Sequence, residues 1–199
     1  MKDKAYSSLK YKFVELFPGI DCRLSSALAI NNKGQIAIAA VNTTVRSFLR
    51  TDGKLTEIKS VEPRSNCWVG GLNEHGTVVG TIGYIDDARA FVWKNGKMTL
   101  LPSLSRGTTY ARGVTNDELI FGVSYDGNGI SHAVLWKDGA IIDVGSKIAR
   151  TDTFFSGVST AGPAVGHSST RGEKYHLYLS GRSHGEASRN RYRSLHQPQ

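Results

Sequence analysis

Phe91-Val92-Trp93-Lys94-Asn95-Gly96 is an apolar run that ends in Asn-Gly. Asn-Gly between apolar runs marks a two-residue hairpin, because a type I′ turn needs φ > 0 at both central residues. The same string returns on either side. Phe48-Leu49-Arg50-Thr51-Asp52-Gly53 lies 43 residues before it, and Val134-Leu135-Trp136-Lys137-Asp138-Gly139 lies 43 after it. A weaker copy, Leu177-Tyr178-Leu179-Ser180-Gly181, follows with its glycine 42 residues after Gly139.

Two further strings keep the same step. Ala29-Ile30-Asn31-Asn32-Lys33-Gly34 is matched by Gly71-Leu72-Asn73-Glu74-His75-Gly76, then by Gly113-Val114-Thr115-Asn116-Asp117-Glu118 and Gly157-Val158-Ser159-Thr160-Ala161-Gly162. Ile30, Leu72, Val114 and Val158 are 42, 42 and 44 residues apart. Gly80, Gly122 and Gly166 recur in the strand that follows, where the first copy has Ile38. Short strands with a turn every ~10 residues read as all-β. Four strands in 40–45 residues are the unit of a propeller blade.

The sequence therefore predicts an all-β fold, a four-bladed β-propeller spanning residues 1–181. Blade 1 covers about 26–58, blade 2 about 68–101, blade 3 about 110–144 and blade 4 about 154–179. The fourth repeat lacks an outer strand. Phe13-Val14-Glu15-Leu16 looks like Leu55-Thr56-Glu57-Ile58, and each stands 14 residues before its anchor, Ile30 or Leu72. The expectation is that strand 13–16 completes blade 4 and closes a monomeric ring, since an open ring leaves unpaired strand edges. The alternative is a partial ring that closes by dimerising.

Arg89-Ala90-Phe91-Val92-Trp93 and Ser131-His132-Ala133-Val134-Leu135-Trp136 resemble the HAF repeat family, named for a His-Ala-Phe signature before Leu-Trp. The family's Ile-Asn-x-x-Gly-Gln element looks like Ile30-Asn31-Asn32-Lys33-Gly34-Gln35. The resemblance covers roughly residues 12–181 and implies propeller-like architecture. WD40 repeats share the length, but here Trp93 and Trp136 are followed by Lys.

The 199 residues carry a net charge of +8 and two cysteines, Cys22 and Cys67. This is not a disulfide framework. No signal-peptide pattern follows Met1, and no apolar run reaches the ~18 residues of a membrane helix. The expectation is a cytoplasmic protein with no membrane partner. The tail 182–199 has four arginines against Glu186 and little apolar content, so it is expected to be disordered.

Arginines recur ahead of each inner strand. Arg64, Arg106 and Arg150 each stand eight residues before Leu72, Val114 and Val158, and Arg23 stands seven before Ile30. Trp68, Tyr110 and Phe154 follow three of them by four residues, with Ser26 at that place in the first repeat. Guanidinium groups grip phosphate or carboxylate bidentately, and aromatic faces stack a base or sugar. These seven residues (Arg23, Arg64, Arg106, Arg150, Trp68, Tyr110 and Phe154) are the candidate ligand-binding set. The competing reading leaves the arginines in solvent and the aromatics packed between blades.

No other motif carries chemistry. Asp126-Gly127-Asn128-Gly129 begins like a calcium loop, but Lys137 stands where the bidentate Glu belongs, so it reads as a turn. Asp86 and Asp87 read as solvated, and His132 as structural. No phosphate loop, zinc spacing or serine elbow is present. The reading is a non-catalytic module without cofactor or metal, capturing an anionic small molecule, nucleotide or nucleic acid. The alternatives are a platform for an acidic protein partner and, below it, an enzyme acting on glycans or phosphoesters.

Overall fold

Each repeat folds as one four-stranded antiparallel sheet. The computed structural model describes residues 14–16, 20–105, 107–148, 152–170, 173–179 and 188–190. Sheet 1 is β1 Leu24–Ile30, β2 Ile36–Val41, β3 Val45–Thr51 and β4 Lys54–Ile58. Sheet 2 is β5 Cys67–Leu72, β6 Val78–Ile82, β7 Arg89–Lys94 and β8 Lys97–Leu100. Sheet 3 is β9 Thr109–Val114, β10 Ile120–Tyr125, β11 Ser131–Lys137 and β12 Ala140–Asp143. A single helical turn, α1 Gly145–Ile148, leads to sheet 4: β13 Thr153–Val158, β14 Ala164–Thr170, β15 Glu173–Leu179 and β16 Ser188–Asn190.

The turns form as their residues dictate. Asp52-Gly53, Asn95-Gly96 and Asp138-Gly139 have φ of 49° and 80°, 51° and 79°, and 51° and 78°. Both residues of each pair are left-handed, as a type I′ hairpin requires. The recurrent glycine of the second strand also has a steric cause. A Cβ on Gly80, Gly122 or Gly166 would lie 2.0 Å from the carbonyl oxygen of Trp68, Tyr110 or Phe154 on the inner strand. Beside each glycine the register slips by one residue, so the inner strand bulges toward it.

The sheets stack in chain order, each with a rear face toward its predecessor and a forward face toward its successor. Ala37 and Leu49 on the forward face of sheet 1 share one core with Leu72, Val78 and Trp93 on the rear face of sheet 2. Val79 and Val92 meet Val114, Ile120 and Trp136 in the next core. Phe121 and Leu135 meet Val158, Ala164 and Leu179 in the third.

Asparagines fasten the inner rims. Asn31 Nδ2 donates to Asn73 O at 2.9 Å, and Asn73 Nδ2 donates to Thr115 O at 2.9 Å, each across 42 residues. Asn116 N donates to Thr160 O at 2.8 Å. Nearer the outer strands, Thr109 Oγ1 accepts from Ala90 N and Thr153 Oγ1 from Ala133 N, both at 2.8 Å. These bonds satisfy backbone groups that would otherwise be buried unpaired between sheets.

The expected closure is not what the chain does. The outer strand of sheet 4 is β16, drawn from the segment expected to be a disordered tail. Val14, Glu15 and Leu16 are not in a strand, and Phe13 lies outside the described residues. Leu16, Ile20 and Cys22 instead lie over Ile38, Ala40 and Phe48 on the rear face of sheet 1. That face carries bulky Ile38 where its counterparts have glycine, so it offers an apolar surface to cover, and burial of side chains outweighs pairing of a distant edge. Among the described residues, sheets 1 and 4 are not closely packed on each other. The four sheets form a propeller-like stack rather than a ring closed by its own first strand.

Candidate ligand face on the inner strands

Along the inner strands β5, β9 and β13, every second residue is more exposed than its neighbours. In β5, Cys67 and Val69 are buried while Trp68 and Gly70 are exposed. In β9, Thr109 and Ala111 are buried while Tyr110 is half-buried and Arg112 exposed. In β13, Thr153 and Phe155 are buried, Phe154 half-buried and Ser156 exposed. Trp68, Tyr110 and Phe154 therefore hold one register position in three successive sheets, pairing across to Thr81, Val123 and His167. Ser26 holds it in β1, opposite Ala39.

The three aromatics are held differently. Trp68 is 42% exposed, whereas Trp93 and Trp136 are buried. Tyr110 donates its hydroxyl to Ile85 O at 3.1 Å and meets the Tyr125 ring edge-on at 6.4 Å. Burial pushes the Tyr110 phenol above its ordinary pKa, so it stays a neutral donor. The Arg112 guanidinium sits over the Tyr110 ring, 5.5 Å from its centroid. Phe154 stacks on His167 at 5.2 Å with 29° between planes, and His167 Nδ1 is 3.3 Å from Ser156 Oγ.

The arginines of the candidate set fall elsewhere. Arg23 is exposed just before β1, where its backbone N donates to Val41 O at 2.9 Å. Arg64 is exposed with φ of 60°. It lines a cavity of about 330 Å³ between the outer strands of sheet 1 and the β4–β5 loop, together with Arg46, Lys59, Glu57 and Glu62. Arg106 and Arg150 lie outside the described residues. Two other cations are already matched: Arg46 Nε donates to Glu57 Oε1 at 2.8 Å, and Arg89 pairs with Glu62. Arg112 stands within β9 itself, not in the loop before an inner strand where the other candidate arginines recur. Its signal was alternation, two residues beyond Tyr110 on the same side of one strand.

The remaining motifs resolve as local structure. Asp126 Oδ1 accepts from Asn128 N at 2.8 Å and Ile130 N at 2.9 Å, which makes the Asp-Gly-Asn-Gly loop a turn around its own aspartate. His132 lies between two carboxylates, Nδ1 3.1 Å from Asp143 Oδ2 and Nε2 3.6 Å from Asp126 Oδ2. Asp87 Oδ1 accepts from Tyr84 N at 2.6 Å and caps a short 3₁₀ turn, Ile85–Asp87. Cys67 is buried, and desolvation pushes its thiol up to about 12. Among the described residues, no three His, Cys, Asp or Glu side chains are placed to hold a metal ion. No helix among them is long and apolar enough to cross a membrane.

No protein-family model matches this chain, and no curated protein matches it. Its fold is similar to that of TolB from Acinetobacter baumannii, with a TM-score of 0.59 at 12% sequence identity. The likeness covers 83% of this chain and 43% of the TolB chain. The chain thus matches less than half the length of that structure. At this identity the likeness shows the fold, which is β-propeller-like.

Proposed function

We propose that this chain is a non-catalytic binding module that takes an anionic ligand with a planar ring, a nucleotide or a short single-stranded nucleic acid, on its inner-strand face. The observation that carries this reading is the row of Trp68, Tyr110 and Phe154 at one register position, with Arg112 over the middle ring. Stacking on an exposed aromatic contributes about 1–3 kcal/mol per base. Arg112 supplies a charged fork for a phosphate while its plane stays stacked on Tyr110. A net charge of +8 draws anions toward the whole molecule. Sites that do chemistry on such ligands bring together a nucleophile, a base and a group that orients it. The inner-strand row brings together rings, one cation and the Ser156–His167 contact, and among the described residues no carboxylate is bonded to His167 to orient it.

Thermal unfolding in the presence of candidate anions tests the proposal. Nucleoside triphosphates and a short single-stranded oligonucleotide should raise the melting temperature, while inorganic phosphate and a sugar phosphate should not. A ligand at 100 times its dissociation constant stabilises by about 2.7 kcal/mol. Equal shifts from phosphate and nucleotide would show that the rings contribute nothing. A shift that survives Arg112→Ala unchanged would place the site elsewhere.

A further inference from the structure

The bulges of the inner strands single out a second row of residues beside the rings. In β9, Ala111 and Gly113 pair with Gly122 and Phe121, and Arg112 between them has no partner in the register. Gly70 in β5 and Ser156 in β13 are passed over in the same way. A bulge leaves its extra residue out of the ladder and re-aims its side chain. Each of these residues stands two beyond a ring: Gly70 after Trp68, Arg112 after Tyr110 and Ser156 after Phe154. The Arg112 guanidinium is turned over the Tyr110 ring, and Ser156 Oγ is turned to His167 Nδ1 at 3.3 Å. The inner strands also press together here. A Cβ on Gly70 would lie 3.3 Å from Arg112 Cα, and one on Gly113 would lie 2.0 Å from Val158 Cγ1. Arg112 and Ser156 therefore stand at one level on two touching strands.

The other side of the rings is acidic. Tyr110 donates its hydroxyl to Ile85 O at 3.1 Å, and Thr108 Oγ1 donates to Asp86 O at 3.2 Å. The charges of Asp86 and Asp87 both act to raise the Tyr110 phenol. A phosphate is repelled from that side. On the bulge side, no carboxylate pairs with Arg112 among the described residues, whereas Arg46 and Arg89 are matched by Glu57 and Glu62.

Given the binding face proposed above, we propose that Arg112 and Ser156, backed by His167, form its phosphate seat, and that this seat takes the terminal phosphate of a nucleoside 5′-phosphate in preference to the internal phosphates of a strand. The ring of the ligand then lies toward Trp68 and its phosphate away from Asp86 and Asp87. The donors set the preference. Arg112 offers a two-pronged fork to the phosphate oxygens. With the imidazole proton on Nδ1, His167 donates to Ser156 Oγ and leaves the hydroxyl proton for an anion. Fork and hydroxyl together match the three unesterified oxygens of a phosphomonoester, and a diester has only two. Arg112 and Ser156 would touch the phosphate, while His167 acts through Ser156 as a positioning residue.

Isothermal titration calorimetry on the full chain tests the seat with a nucleoside, its 5′-monophosphate and a dinucleoside monophosphate, whose one phosphate is internal. The 5′-monophosphate should bind at least about tenfold more tightly than the other two, the worth of one charge-assisted hydrogen bond. Ser156→Ala should remove about that factor for the 5′-monophosphate and leave the nucleoside unchanged, while Ser156→Thr, which keeps the hydroxyl, should bind like the parent. His167→Phe keeps a ring on Phe154 but loses Nδ1, so it should weaken the 5′-monophosphate alone. Ser156 is exposed and His167 half-buried, so these variants should melt like the parent in circular dichroism. Equal affinity for the 5′-monophosphate and the dinucleoside monophosphate overturns the seat and leaves the binding face standing. So does an affinity for the 5′-monophosphate that Ser156→Ala leaves unchanged. Failure of all three compounds to bind removes the binding face itself, and the seat with it.

Discussion

Replacing Asn73 with alanine should unfasten sheets 2 and 3. The side chain is fully buried and makes three short bonds. Its Nδ2 donates to Thr115 O at 2.9 Å, and its Oδ1 accepts from His75 N at 2.9 Å and Thr77 N at 3.0 Å. Each buried hydrogen bond contributes about 1 kcal/mol net, so the three together give about 3 kcal/mol. In a chain of this size that lowers the melting temperature by about 6–12 °C. Asn73→Asp separates the two roles. It keeps both acceptor bonds but turns a carboxylate oxygen toward Thr115 O and toward Glu118 Oε1, which Nδ2 faces at 3.4 Å in the native chain. A like-charged contact at this range is unfavourable, so the aspartate variant should lose at least as much stability as the alanine variant. Urea unfolding followed by circular dichroism measures both, and an unchanged slope with denaturant confirms that stability alone has moved. A loss below about 1 kcal/mol for Asn73→Ala would refute the ladder as a fastening, because that is no more than an ordinary surface change brings.

Gly122→Ala should cost about 2 kcal/mol or more, since its Cβ would sit 2.0 Å from Tyr110 O and 2.6 Å from Trp136 Cζ3. Gly127→Ala, with nothing within 4 Å, is the control and should melt like the parent. Acid should destabilise the fold. Hydrogen bonds from Ser131 hold the Asp152 carboxyl below its usual range, and the Arg46 hydrogen bond does the same for Glu57. Burial alone would raise Glu118, but its bonds from Lys94, Thr77 and Asn73 outweigh that and lower it. Groups lowered in the folded state stabilise above their unfolded pKa and lose that contribution as the pH falls through the folded value. Melting temperature should therefore hold near neutrality and drop below about pH 4.5, and Asp152→Asn should flatten the drop. With its thiol pushed up to about 12 and buried, Cys67 should resist iodoacetamide at pH 8 in the native protein and react only at the rate of unfolding. Prompt labelling of Cys67 in folded protein would contradict its place in the core.

The architecture was readable because its main determinants are local. Asn95-Gly96 fixes a turn whatever surrounds it, and a step of about 42 residues repeats the turn, the anchor and the glycine together. The fourth sheet was harder. Ser188-Arg189-Asn190 is polar and carries no alternation, so nothing in it announces an outer strand; its pairing with β15 supplies the order. Phe13-Val14-Glu15-Leu16 has the pattern of a strand, yet an apolar side chain serves equally to cover a face, and Leu16 lies over Ile38 and Phe48. At the candidate site the three aromatics were legible through register alone. Arg112 was not, because its meaning depends on which side of β9 faces outward, and that follows from burial on the packed sheet.

Trp68 offers the most direct measurement of the proposed binding face. The chain has three tryptophans, and Trp93 and Trp136 are buried in the junctions. Quenching by an added nucleotide therefore reads Trp68, which stands in the row with Tyr110 and Phe154. Titration with a nucleoside triphosphate should give saturable quenching and a shift of the remaining emission toward the buried pair. Arg112→Ala should weaken the fitted affinity by about tenfold, the loss of one charge-assisted contact. Linear, unsaturable quenching that is the same for the wild-type and Arg112→Ala proteins would contradict the account.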